Sequence, residues 1–229
     1  MYRILLLAFV LGVSCGRQET TTKTGKNSRR DTTRMVQAES FDLQVKKYED
    51  PKRQTWQDPK FVIEALGDLS NKTIADIGSG TGYFTFQMAV PANKVIALDI
   101  EQRFLNYIED RKTEMYDRAL AQKIETRLTA PDKPNLQDAE VDVVLMVNTI
   151  AYIQNRDEYL MLLSKGLTAL GRIIIVDYKE GKMPVGPDDN VKVNLRKISS
   201  SLSFAGFEID KIDTVSLQYQ YLIKAHKLD

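Results

Sequence analysis

From residue 40 onward, short runs of β-branched and other apolar residues alternate with longer stretches in which apolar positions recur every three or four residues. The runs Thr73–Ile77, Lys94–Asp99, Ile124–Leu128, Val141–Val147 and Arg172–Asp177 read as strands. Taken as nearly all apolar, they predict a parallel sheet buried on both faces, since a sheet with one wet face would alternate polar and apolar positions. Helices are predicted near Pro59–Leu66, Tyr83–Ala89, Glu101–Ala121, Arg156–Leu167 and Asn190–Ala205. Within the third, Phe104, Ile108 and Met115 follow helical spacing and read as core packing. Gly166 and Gly171 bracket the close of the fourth helix and the return to the sheet. Phe207–Val215 and Leu217–Ala225 are two strand-like runs with Ser216 between them, which predicts an antiparallel pair at the sheet edge. The pattern is that of an α/β fold in three layers: a mostly parallel sheet with an antiparallel C-terminal edge strand, and helices on both faces.

The first forty residues follow no such pattern. Met1-Tyr2-Arg3 precedes an apolar run, Ile4 to Val13, that is too short to cross a bilayer and is followed by Ser14-Cys15-Gly16. These are the parts of a secretory signal. Leu11-Gly12-Val13-Ser14-Cys15 resembles a bacterial lipobox, although Gly12 stands where leucine is usual. That resemblance implies a signal peptide over 1–15, lipid on Cys15, and a membrane-anchored lipoprotein facing the periplasm or the cell exterior. If the signal is false, the chain is cytoplasmic. A plain cleaved signal, or a buried strand or helix start with Cys15 as a small core residue, are the other readings. Residues 16–39 are rich in Thr, Lys, Arg, Gln and Ser and read as a flexible polar linker, with the folded domain over 40–229. The basic residues of this linker (Arg17, Lys23, Lys26, Arg29, Arg30, Arg34) outnumber Glu19 and Asp31, which suits either anionic headgroups or plain solvation.

Composition narrows the chemistry. The 229 residues are 43% hydrophobic, enough for a substantial core, and 32 basic side chains nearly cancel 31 acidic ones. No global field draws a polyanion, so nucleic acid is not expected as a partner. One cysteine excludes an intramolecular disulfide framework and a thiolate zinc cluster; one histidine excludes a multi-histidine metal site and makes serine–histidine hydrolysis improbable. No metal is expected. His226, three residues from the end, reads as a solvated tail residue.

The most informative segment is Thr73-Ile74-Ala75-Asp76-Ile77-Gly78-Ser79-Gly80-Thr81-Gly82-Tyr83-Phe84-Thr85. A strand runs into a loop of three alternating glycines, and a helix follows, presenting unpaired N–H groups at its start. Such a loop serves many nucleotide ligands. A dinucleotide fingerprint, however, needs glycine or alanine three residues after the second glycine, and Tyr83 stands there. Asp76 also places a carboxylate awkwardly for a pyrophosphate and favourably for a cation. Asp99 closes the second strand twenty-one residues after Gly78, where a carboxylate can accept both hydroxyls of a ribose. A ligand with a ribose, an ammonium and a sulfonium but no phosphate fits this set; S-adenosylmethionine is one.

On these residues the sequence resembles the class I, seven-stranded, Rossmann-like S-adenosylmethionine-dependent methyltransferases, whose Asp-x-Gly-x-Gly-x-Gly motif is matched by Asp76, Gly78, Gly80 and Gly82. The resemblance covers about residues 40–229. Val141 to Asn148 is similar to the family's fourth strand and the loop beyond it, and Gly171 to Asp177 to its fifth. Ala205-Gly206-Phe207 resembles the turn before its sixth, with Tyr219-Gln220-Tyr221 on the seventh. Within the family the chain is most similar to a bacterial subgroup with Trp-Gln-Asp-Pro (Trp56 to Pro59) before the first helix and Pro-Val-Gly-Pro (Pro184 to Pro187) after strand five. There the loop after strand four commonly reads Val-Asn-Thr-Tyr-His-His-Ile; here it is Val147-Asn148-Thr149-Ile150-Ala151-Tyr152-Ile153, without either histidine.

The resemblance implies that Asp76, Gly78, Ser79, Gly80 and Gly82 hold the methionine end of S-adenosylmethionine and that Asp99 and Ile100 meet ribose and adenine. Pro131 or Asp132 would border the adenine. Asn148 lies at the carboxyl end of strand four, where open α/β sheets place ligands, and reads either as a ligand contact or as a turn cap. Asn148, Tyr152, Asp177 and Tyr178 are the acceptor-side candidates, while Trp56 reads as packing. Methyl transfer is an in-line displacement that needs alignment and exclusion of water more than a dedicated base, so the missing histidines do not exclude it. The expected activity is methyl transfer to a small molecule. A non-catalytic, membrane-tethered module that binds or senses S-adenosylmethionine is the alternative, and a dinucleotide oxidoreductase a third reading that Tyr83 and Asp76 oppose. Oligomeric state is not legible.

Overall fold

Five parallel strands form at the positions where the apolar runs lie, and the computed structural model, which describes residues 41–228, joins them with two more into one sheet. Residues 43–228 belong to one folded unit. The chain enters through α1 (Arg53–Trp56) and α2 (Pro59–Ala65), then passes through β1 (Thr73–Ile77), α3 (Thr85–Ala89), β2 (Lys94–Asp99), α4 (Gln102–Glu114) and α5 (Arg118–Gln122) to β3 (Ile124–Leu128). It continues as β4 (Val141–Val147), a 3-10 turn at Ile150–Tyr152, α6 (Arg156–Gly166), β5 (Leu167–Tyr178), α7 (Leu195–Phe204), β6 (Phe207–Asp213) and β7 (Gln220–Lys227). The strand order is β3-β2-β1-β4-β5-β7-β6. The order reverses between β1 and β4, so their carboxyl ends open onto the crevice where such sheets take ligands. The expected signal over 1–15, Cys15 and the linker over 16–39 lie outside the described residues.

Burial on both faces explains the apolar runs. Ile74, Val95, Ala97, Val143, Leu145 and Ile174 point to one face and pack with Val62 of α2, Met88 of α3 and Ile108 of α4. Ala75, Ile77, Ile96, Val144, Met146 and Ile175 point to the other, against Leu160 and Leu163 of α6 and Ile198 and Leu202 of α7. Truncating a Leu, Ile or Met among these to Ala would cost about 2–5 kcal/mol.

Five local expectations are revised or refined. β3 is not nearly all apolar: Ile-Glu-Thr-Arg-Leu pairs only with β2, and as an edge strand it leaves Glu125, Thr126 and Arg127 half-buried. The single helix read over 101–121 is two, because Met115 turns extended (ψ 130°) and Asp117 starts a new helix by accepting from the Leu120 N–H at 3.0 Å. The last helix begins only at Leu195, where Asn194 caps it by accepting from the Arg196 N–H. The antiparallel pair does form this side of the sheet, but β7 is inserted between β5 and β6, and β6 is outermost. β7 carries the more apolar sequence, so the inner position buries it. His226 is accordingly no tail residue: it lies in β7, with Nδ1 2.7 Å from Asp210 Oδ1 on β6.

Candidate functional site

Each glycine of the loop after β1 makes room for a different part of the chain. Gly78 has φ +72°, and a Cβ there would stand 2.4 Å from Thr149 Oγ1. Glycine at 78 therefore lets the β1 loop and the β4 loop close on each other, a position that an L side chain would both strain and block. A Cβ on Gly80 would meet the Tyr48 ring at 3.2 Å, and one on Gly82 would meet Phe86 at 2.8 Å and Ile108 at 3.0 Å. The third glycine thus seats the loop on α3 and α4.

Four N–H groups of this loop are already engaged. Those of Gly78 and Ser79 both donate to the Leu98 carbonyl, at 2.8 and 3.0 Å; that of Gly80 donates to Asp99 Oδ2 at 2.8 Å; that of Gly82 donates to the Ser79 carbonyl at 2.9 Å. A pyrophosphate needs such groups free. By contrast the buried hydroxyls Ser79 Oγ and Thr81 Oγ1 have no partner among the described residues.

Two acids flank the loop. Asp76 is buried at 3% exposure and accepts from Thr85 Oγ1 at 2.6 Å. Loss of hydration pushes its carboxyl up to about 6. Asp99, also buried, accepts from the Gly80 and Glu101 N–H groups, one on each oxygen, and burial raises its pKa as well. Each oxygen retains acceptor capacity for a hydroxyl. Ile100 beside it is 59% exposed, an apolar face next to the ribose-type acid. Pro131 and Asp132 sit in an exposed turn between Ala130 and Lys133; the nearby Thr129 N–H donates to the Asp99 carbonyl at 3.0 Å, but no side-chain contact joins the pair to Asp99.

The segment before β1 supplies residues that the sequence reading did not place here. Tyr48 lies over Gly80 and stacks on Phe104 with ring centroids 5.5 Å apart. Burial, then Tyr152 and Asp99, raise its phenol pKa. Arg53 donates to the Tyr48 carbonyl and, through Nε, to Gln57 Oε1 at 2.8 Å, both neutral acceptors. Its guanidinium lies 4.1 Å from the centre of the Tyr83 ring, and burial lowers its pKa. Arg111 of α4 fastens the segment to the loop through Glu49 and the Thr81 carbonyl, at 3.3 Å each.

Of the acceptor-side candidates, Asn148 and Tyr178 gather at the carboxyl ends of β4 and β5, Asp177 lies on the other face of the sheet, and Tyr152 faces solvent. Asn148 has φ +57°, a turn conformation, and its side chain also accepts from Gln220 Nε2 at 2.5 Å. The turn reading of this residue fits that conformation. Tyr178 pairs across the strands with Gln220, and Trp56 lies against it at 6.0 Å and against Tyr219 at 6.5 Å. Asp177 points to the opposite face of the sheet at 2% exposure; Tyr178 N–H donates to its Oδ1 at 2.7 Å, its Oδ2 has no partner, and burial pushes the carboxyl up to about 6. Tyr152, 63% exposed, lies in the 3-10 turn after β4. Alternation along β5 separates Asp177 from Tyr178, a consequence of strand geometry that motif reading had not used.

A methyltransferase-domain family model matches residues 68–220. Demethylmenaquinone methyltransferase of Tropheryma whipplei (strain Twist) is 28% identical over 122 residues, 53% of this chain and 48% of that protein. Ribosomal RNA small subunit methyltransferase A of Staphylococcus carnosus is 23% identical over 125 residues, 53% and 42% of the two chains. The match thus spans about half the length of these curated relatives. Among solved structures, a SAM-dependent methyltransferase from Aquifex aeolicus superposes with a TM-score of 0.73 at 22% identity, covering 80% of this chain and 97% of that one, a likeness of fold. The family match runs from just before β1 to the start of β7 and takes in the glycine loop and both acids; the chain belongs to the methyltransferase domain family.

Proposed function

We propose that the protein is an S-adenosylmethionine-dependent methyltransferase acting on a small molecule. The observation that carries this reading is the state of the loop after β1: the N–H groups of Gly78, Ser79 and Gly80 are spent on Leu98 and Asp99, and two carboxyls of raised pKa flank it. Such a site suits a ligand that brings positive charge and hydroxyls, and disfavours one that brings phosphate. In this reading Asp76 faces the ammonium and sulfonium end, Ser79 and Thr81 offer their unpartnered hydroxyls, and Asp99 takes the ribose with Ile100 against the base. Arg53 and Tyr48 close the amino-acid end. Bound there, the cofactor supplies an electrophilic methyl group. The chain's part is to hold donor and acceptor in line and to keep water out.

The near balance of 32 basic and 31 acidic residues favours a small acceptor over a nucleic acid. A second reading, a module that binds the cofactor without turnover, is favoured by the absence of histidine between Val147 and Ile153. Calorimetry with S-adenosylmethionine and with its demethylated product, S-adenosylhomocysteine, tests the site: one-to-one saturable binding of both is expected, and binding of neither refutes the reading. Transfer of a labelled methyl group to any acceptor removes the second reading. We also propose that Cys15 carries lipid and holds the domain at a membrane facing the periplasm or cell exterior. Mass spectrometry of the amino terminus from the native host is expected to find a lipidated Cys15; an intact Met1 refutes the anchor and leaves a cytoplasmic enzyme.

A further inference from the structure

Two sequence signatures far apart in the chain converge on one ring. Trp56, from Trp-Gln-Asp-Pro, lies against Tyr178 at 6.0 Å with the rings tilted by 31°. Gly186, from Pro-Val-Gly-Pro, approaches the same ring so closely that a Cβ there would stand 2.7 Å from its Cδ1 and Cε1. Tyr178 is thus gripped by two segments that no strand pairing brings together. Tyr219 extends the aromatic surface beside Trp56, and both keep part of their area open.

Beside this surface lies an amide pair. Gln220, cross-strand partner of Tyr178, is fully buried and donates to Asn148 Oδ1 across β5. Gln220 Oε1 has no partner among the described residues. A buried amide oxygen left unpaired is costly unless a ligand or water completes it. With the Asn148 amide nitrogen, the pair offers one acceptor and one donor, which suits a hydroxyl. Arg53, whose charge acts on Tyr178 and whose hydrogen bonds go to neutral acceptors, opposes an ammonium and favours an oxygen of developing negative charge.

We propose that Trp56, Tyr178, Tyr219 and the Asn148–Gln220 pair form the methyl-acceptor site and that its occupant is a flat aromatic hydroxy compound. The inference rests on the methyltransferase reading above and narrows its substrate class. The acceptor lies along the open faces of Trp56 and Tyr219, with the buried Tyr178 ring supporting Trp56 from behind, because rings 6.0–6.5 Å apart leave no gap between them for another. Transfer forms one O–C bond and breaks one S–C bond, whose electron pair returns to sulfur; the sulfonium becomes a neutral thioether and the hydroxyl proton passes to water.

Trp56 is the only tryptophan of the chain, so its fluorescence reports this surface directly. The full chain, saturated with S-adenosylhomocysteine, is titrated with methyl 4-hydroxybenzoate, methyl benzoate and cyclohexanol, by fluorescence and by calorimetry. Methyl 4-hydroxybenzoate is expected to bind saturably and shift Trp56 emission, with the other two about tenfold weaker or worse, the scale of a lost hydrogen bond or ring contact. Gln220→Met is expected to erase the preference for the hydroxyl while S-adenosylhomocysteine still binds, and Tyr178→Phe to keep ring binding where Tyr178→Leu loses it. Equal binding of all three probes, a hydroxyl preference unchanged in Gln220→Met, or no probe binding to a chain that takes S-adenosylhomocysteine overturns the proposal. Failure of S-adenosylhomocysteine itself to bind overturns the methyltransferase reading beneath it. Should Gln220→Met not fold, Trp56→Phe against Trp56→Ala by calorimetry decides: loss of probe binding in the second alone supports the site, and retention in both overturns it.

Discussion

The two halves of the crevice are built from different materials. On the side of β1 and β2, the site is made by backbone: three glycines with positive φ, four N–H groups tied to Leu98, Asp99 and Ser79, and a carboxyl at the end of each strand. On the side of β4, β5 and β7 it is made by side chains that arrive from separate segments: Trp56 before β1, Asn148 after β4, Tyr178 on β5, Tyr219 and Gln220 at the start of β7. Backbone construction tolerates little change and fixes one ligand; side-chain construction admits change one residue at a time. On the proposed reading, the half that would hold the donor is therefore rigid in kind, and the half that would meet the acceptor is adjustable.

The comparison is broken most severely at Gly78. Gly78→Ala adds a methyl group 2.4 Å from Thr149 Oγ1 at a backbone angle of +72°, and a loss of about a hundredfold or more in S-adenosylhomocysteine affinity by calorimetry is expected. Adding Thr149→Gly relieves the contact but not the angle, so recovery is partial. Asp99→Ala removes the acceptor for the Gly80 and Glu101 N–H groups and any ribose hydroxyl, with about 10–100-fold weaker binding expected. Affinity for the cationic cofactor also depends on pH through Asp76. Its carboxyl titrates near 6 in the free protein, and a bound cation favours the ionised form, so affinity falls up to about tenfold per unit as pH drops below 6 and levels off above it. Asp76→Asn flattens that profile.

On the opposite face, Asp177 gives the reverse sign for stability. Its folded pKa, about 6, lies above the ordinary value of 3.8, so the folded chain holds the proton more tightly than the unfolded one. The stabilisation this gives is complete below about pH 4 and is lost as pH rises through 6. Asp177→Asn is expected to raise stability at pH 7.5 by about 1–3 kcal/mol in denaturant melts, with the gain shrinking toward pH 4. The smallest effect is at His226, whose pairing with Asp210 is largely exposed: His226→Gln changes stability by less than about 1 kcal/mol.

The sequence makes the backbone-built half legible and the other half hardly at all, for a physical reason. β1, β2, β3 and β4 begin and end at the expected residues because apolar runs and turn residues bound them locally. Asp76, Gly78 and Asp99 are readable because strand-loop-helix geometry is local too. The roles of Trp56, Gln220 and Tyr48 depend on which distant segments fold over the strand ends, and no local pattern records that. Trp56 reads as packing, and it does pack, but against Tyr178 at the mouth of the crevice. The break at Met115 had a local signal, Asp117 in N-cap position, which the helical spacing of Phe104, Ile108 and Met115 masked.

The outermost strands carry one more lesson. Along β3, Arg127 is locked between Glu125 at 2.5 Å and Glu140 at 2.8 Å, and β6 bears Glu208, Asp210, Lys211 and Asp213. A foreign strand that tried to extend the sheet at either rim would have to strip water from these ions before gaining a single ladder bond. Both rims of the sheet therefore resist edge-to-edge pairing with another chain.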